Sequence, residues 1–116
     1  MPKVHSFDAN SIDWAAHPQF AELQIKVLES RATHPHLSML LVRLAAGGVI
    51  DTHVHATETE TAYVLAGRGV LKLGDNHEVV MEPGRGVSVP PGVYHSLHNQ
   101  GDVPLELLAM HAPPVR

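Results

Sequence analysis

Cysteine is absent from the 116 residues, which removes disulfides, thiolate ligands and a cysteine nucleophile from consideration. A strong excess of one charge is missing too. Eight Lys and Arg stand against twelve Asp and Glu, a formal charge of −4, and basic residues such as Lys26, Arg43, Arg68 and Arg85 are scattered rather than clustered. That distribution argues against nucleic acid as a partner. No apolar run approaches the roughly 20 residues that span a bilayer, and the opening Met-Pro-Lys-Val-His-Ser-Phe-Asp has no apolar signal core. A cytoplasmic location without membrane association is therefore expected. Internal repeats, low-complexity tracts, a nucleotide-binding glycine loop and a serine triad are also missing. Histidine is what the chain has in quantity, with ten residues.

The length suits one domain, because two would leave each half too small for a useful core. From residue 37 to residue 112 the sequence reads as short strands cut by Gly and Pro: Leu37–Ala45, Thr52–His55, Thr61–Leu65, Val70–Leu73, Glu78–Met81, Gly86–Val89, Tyr94–Leu97 and Leu105–His111. Many short strands separated by regular turn signals predict an all-β antiparallel sandwich or barrel. Residues 1–36 form a different N-terminal segment. There Asp13–Phe20 reads as a turn or a single helical turn stopped by Pro18, and Glu22–Leu28 alternates as an edge strand would. Residues 113–116 are a Pro-containing tail.

Three histidines and a glutamate stand in strand contexts that can bring them together. His53 and His55 are two apart, so on one strand they project to the same face about 7 Å apart at the Cα level, a span a metal can bridge. Glu60 shares a face of the return strand with Ala62 and Val64. His95 follows the stiff Pro90-Pro91-Gly92 turn. Glu58 is a competing carboxylate, better read as a solvated turn residue.

The spacing extends to two longer patterns. The first is Gly47, five residues, His53-x-His55, four residues, Glu60, six residues, Gly67; the second is Gly84, five residues, Pro90-x-Gly92, two residues, His95, three residues, Asn99. Together they resemble both motifs of small single-domain cupins. That resemblance implies a double-stranded β-helix, the cupin jelly-roll barrel, and carries His53, His55, Glu60 and His95 over as metal ligands. By the same resemblance Gly47, Gly67, Gly84 and Gly92 are turn residues, Asn99 is a structural turn residue, and the N-terminal strand pairs with a second copy in a homodimer.

Three imidazoles and one carboxylate suit one divalent transition metal per chain, whether Fe, Mn, Ni, Cu, Co or Zn. A divalent ion with one carboxylate keeps a charge of about +1 and favours a small anionic ligand or substrate. The expected function is a metal-dependent enzyme on a small anionic or carbonyl-containing molecule, with a dioxygenase-type reaction slightly ahead of an isomerase or sugar-processing one. No catalytic residue is assigned. The alternative is a non-catalytic small-molecule binding or sensing module.

The other histidines have plainer readings. His34-Pro35-His36 is expected in a surface turn, His5 and His17 exposed, His77 in a hairpin turn, and His98 facing away from His95. His111 can line the barrel, although a half-exposed strand end is favoured. Tyr63 and Tyr94 have the parity of the outer surface. Met39, Leu41, Met81 and Met110 read as core filler, and Val49, Val64, Val93 and Leu97 as the apolar lining near the ion.

Overall fold

The computed structural model describes residues 3–116. After a 3-10 turn at Ala9–Ser11, ten strands follow: β1 (Ala15–Ala16), β2 (Leu23–Glu29), β3 (Ser38–Leu44), β4 (Val49–His53), β5 (Thr59–Ala66), β6 (Gly69–Leu73), β7 (Glu78–Met81), β8 (Gly86–Val89), β9 (His95–His98) and β10 (Leu105–Ala112). They form a six-stranded sheet, β1-β2-β3-β10-β5-β8, and a four-stranded sheet, β4-β9-β6-β7. Every pairing is antiparallel. The fold is all-β and antiparallel, as the strand pattern predicts, and is the double-stranded β-helix that the resemblance implies. No helix among the described residues is long and apolar enough to cross a membrane.

Period-two alternation produces the core. On β3, Ser38, Leu40, Val42 and Leu44 are buried while Met39, Leu41 and Arg43 are half-buried on the other face. On β10, Leu105, Leu107, Ala109 and His111 point inward in the same way. These rows meet Leu71, Leu97 and Ile50 of the opposite sheet, so the core lies between the two layers. Met81 belongs to it at 1% exposure. Met39, Leu41 and Met110 do not: they lie half-buried on the outer face, because these strands carry large apolar residues on both sides and alternation alone cannot assign them.

The turns are set by backbone requirements. Gly67 has φ +81°, and a side chain there would collide with the backbone of Pro104 and Leu105. Asn99 is 2% exposed. Its amide donates to the carbonyls of Leu44, Ala45 and Val103 at 3.1, 3.1 and 2.8 Å, and its Oδ1 accepts the Gly101 N–H at 3.0 Å. It thereby ties the β3–β4 turn to the β9–β10 connection. The Gly92 N–H donates to the His55 carbonyl at 2.9 Å, which ties the Pro90-Pro91-Gly92 turn to the first motif.

Residues Asp13–Phe20 differ from the expected lone turn. Ala15 and Ala16 pair with Ile25 and Gln24, so β2 is covered along part of its edge; two residues are too few for a periodic signal. Trp14 lies 4.2 Å from the Arg43 guanidinium and 4.9 Å from the Lys26 ammonium, measured to the ring centroid. The N-terminal segment thus folds back over the chain's own sheet.

Candidate metal centre

The two sheets each contribute to one cluster. His53 ends β4 and pairs across the ladder with His95, the first residue of β9. His55 lies just beyond β4 rather than on it, in a backbone stretch held by the Gly92 turn. Glu60 projects inward from β5 with Ala62 and Val64. One donor atom from each of His53, His55, Glu60 and His95 lies within 4.8 Å of the others. All four residues read as ligands from the sequence therefore meet.

Hydrogen bonds set the orientation of two imidazoles. His53 Nδ1–H donates to the Asp51 carbonyl at 2.8 Å, and His95 Nδ1–H to the Val93 carbonyl at 2.9 Å. Each bond leaves Nε2 with its lone pair free. The Nε2 atoms of His55 and His95 are buried without a hydrogen-bond partner, and they stand 3.6 and 3.3 Å from the two oxygens of Glu60. Buried ring nitrogens gathered around a carboxylate without a hydrogen-bond partner need a shared one. A divalent transition ion is that partner chemically, so the donor set fits one.

A fifth residue joins the cluster. His111 is 6% exposed and lies directly across the ladder from Glu60, with its Nε2 2.7 Å from Glu60 Oε1. The half-exposed strand end favoured from the sequence is thus replaced by a buried hydrogen-bond donor. Its inward parity with Leu105, Leu107 and Ala109 was the available signal. Burial pushes the Glu60 carboxyl upward, but contacts with His111, His55 and His95 outweigh it and hold the group well below the usual carboxylate range. Burial lowers His53 despite the Asp51 carbonyl. For His95 burial also acts downward, but Glu60 and the Val93 carbonyl prevail and raise it.

The cluster opens onto a cavity of about 450 Å³. Its apolar wall includes Leu23, Ile25, Leu40, Val42, Leu97 and Leu107, while His17, Gln19, Phe20 and Arg116 lie toward the surface. Of the four lining residues expected, only Leu97 is there. Val49 faces outward at 37% exposure, Val64 is packed into the core and Val93 lies before β9. A bulge between Ile50 and His53 explains Val49, since it turns both of those residues inward and reverses the parity between them.

Glu58 is spent on its own turn, where it accepts a long hydrogen bond from the Thr57 N–H. His34 accepts N–H bonds within the surface turn before β3. His77 is exposed, and His98 bonds to Ser96 away from the cluster. Tyr63 and Tyr94 are exposed at 45% and 57%, as their parity predicts. His17 is the other correction: it lines the cavity half-buried instead of standing in solvent.

A protein of Methanocaldococcus jannaschii, described as uncharacterised, is 39% identical over 62 residues, which cover 53% of this chain and 49% of that protein. YrkC of Bacillus subtilis is 29% identical over 87 residues, covering 71% of this chain and 47% of its own. The chain thus spans about half the length of the curated relatives it matches. Among solved structures, KdgF from Halomonas sp. superposes with a TM-score of 0.81 at 20% identity over 94% of both chains, a likeness of fold. Residues 40–111 match the Cupin domain family, a stretch that runs from β3 to His111 and contains both motifs and the whole cluster. On that match, together with the shared barrel, the chain belongs to the cupin family.

Proposed function

We propose that the chain is a metal-dependent enzyme acting on a small anionic or carbonyl-containing molecule that enters the cavity. The observation that carries this reading is the set of partnerless imidazole nitrogens meeting Glu60 at the end of a largely apolar cavity. His53, His55, Glu60 and His95 would hold one divalent ion of Fe, Mn, Co, Ni, Cu or Zn, and that ion would supply Lewis acidity or one-electron chemistry. His111 fixes one oxygen of Glu60 through its Nε2–H. The apolar wall lowers the local dielectric and strengthens the attraction between the centre and an anion.

Glu60 contributes the one carboxylate side chain lining the cavity among the described residues. With Glu60 committed to the cluster and the His111 Nε2–H committed to Glu60, few groups are left to carry a proton between substrate atoms. Oxygen-dependent cleavage is therefore placed slightly ahead of isomerisation or sugar processing. The same shortage suits a second reading, a non-catalytic binding or sensing module. Reconstitution with each of the six metals, followed by oxygen uptake with small acids and diketones, separates the two. Consumption of oxygen with stoichiometric loss of substrate supports the enzyme. Ligand binding without turnover in every metal form favours the binding module, and failure of every form to accept an external ligand refutes both.

A further inference from the structure

His17 and Arg116 make a contact that ordinary hydrogen bonding does not satisfy. The Gln19 N–H donates to His17 Nδ1 at 3.0 Å. A neutral imidazole has one donor and one acceptor nitrogen, yet Nε2 also faces Arg116 Nη2 at 2.9 Å, and a guanidinium can only donate. Whichever tautomer the ring takes, one of these two N–H groups lacks an acceptor. Arg116 Nε is buried and has no partner either, so N–H groups outnumber acceptors around this pair. Burial, the Arg116 charge and His53 all lower the His17 pKa, and protonation would in any case add a donor and not an acceptor. Nor is the arginine a loose end: its main-chain oxygen accepts the Arg31 N–H at 2.7 Å, and the preceding Val115 N–H donates to Ser38 Oγ at 3.2 Å.

Both residues line the cavity that contains His53, His55, Glu60 and His95. The Phe20 ring lies 5.0 Å from that of His17 and 5.6 Å from that of His53, so one aromatic ring separates the two polar ends. We infer that His17 and Arg116 form an anchor for a carboxylate whose parent molecule reaches the His53–His55–Glu60–His95 cluster with its other end. The inference rests on the metal-centre reading only for that second end. The Nε–H and Nη2–H edge of a guanidinium matches the two oxygens of a carboxylate, and in its Nε2–H tautomer His17 can donate to a remaining lone pair. A carboxylate there would supply the acceptor that Arg116 Nε lacks and, in that tautomer, relieve the opposed N–H groups as well. The substrate class narrows to small acids carrying a chelating group at one end and a second carboxylate at the other. A neutral or cationic tail would leave the donors unsatisfied.

The test uses the Zn(II)-loaded protein and calorimetry with 2-oxobutyrate, 2-oxoglutarate and 2-oxoadipate, which share one chelating end and differ in the distal carboxylate. At least one diacid should bind about tenfold or more tightly than 2-oxobutyrate, the value of a charge-assisted pair. Arg116→Gln and, separately, His17→Leu should bring that ratio near one without changing 2-oxobutyrate affinity. His17→Leu leaves the anchored tail intact, so a folding defect in one variant does not decide the matter. Metal-free protein is titrated in parallel with glutarate while the Arg116 Nε–H resonance is followed. A saturable shift supports the anchor even if zinc fails to bind, which would overturn the metal reading alone. Zinc binding with diacid ratios near one in the wild type overturns the anchor alone, as does a preference that survives both substitutions. No zinc binding and no shift overturns both.

Discussion

Replacing Asn99 with Ala removes the amide that joins the two motif-bearing turns. Two N–H hydrogens serve three carbonyls and Oδ1 serves one N–H, all within 3.1 Å and almost fully buried. At about 1 kcal/mol net for each hydrogen bond, and allowing for the shared hydrogens, the loss is about 3 kcal/mol. Unfolding entropy of roughly 2.1 cal/mol/K per residue gives about 0.24 kcal/mol per degree for a chain of this size, so the Tm falls by about 12 °C. The assay is denaturant and thermal unfolding with a chelator present, so that ion binding contributes nothing. Asn99→Asp sharpens it. The substitution is nearly isosteric, but at neutral pH it turns a carboxylate toward three carbonyls and should cost more than Ala. Acidification should narrow its deficit as protonation restores one donor. A loss below about 1 kcal/mol for Asn99→Ala, with Asp no worse, would mean that the amide does not hold the two turns together.

His111→Ala should weaken metal binding about 10- to 100-fold with all four ligands intact, because Glu60 loses the group that orients it; unchanged affinity in chelator competition would count against that role. Glu29 is held below its ordinary pKa of 4.5 first by the Thr33 hydroxyl and then by His5. Its stabilising effect is therefore fully present above 4.5 and disappears as pH falls through the lower folded-state value. The Tm deficit of Glu29→Gln should accordingly be visible at about pH 6 and shrink on acidification, whereas a deficit that grew would reverse the sign. We propose a homodimer through the outer face of the six-stranded sheet, where Met39, Leu41, Tyr63, Leu108 and Met110 form an apolar row across three strands. Light scattering should give about twice the 12.6 kDa chain mass, and a monomer at micromolar concentration rules it out.

The barrel and the four ligand candidates were legible because they depend on local spacing. Each motif puts its glycines, proline and ligands at fixed separations along the chain, and alternation marks the inward face of β3 and β10. Long-range register was not legible. His111 stands opposite Glu60 through a pairing between residues 51 apart, and the contact between His17 and Arg116 spans 99. No local pattern encodes either. The β4 bulge reversed the parity that had placed Val49 in the cavity, and β1 was too short to register as a strand. Cavity chemistry beyond the motifs thus comes from side chains that only the closed barrel brings together.

Metal content per chain, in protein made without an affinity tag and reconstituted with a divalent transition ion, tests the four-residue centre most directly. About one ion per chain should be retained by wild type and by His77→Ala, whose side chain is exposed, and lost from His53→Ala and His95→Ala. Ligation requires neutral imidazole, so the ion should also leave as pH falls toward and below about 6. Equal metal content in wild type and His95→Ala, or none in wild type after reconstitution, would show that these four residues do not form a metal centre.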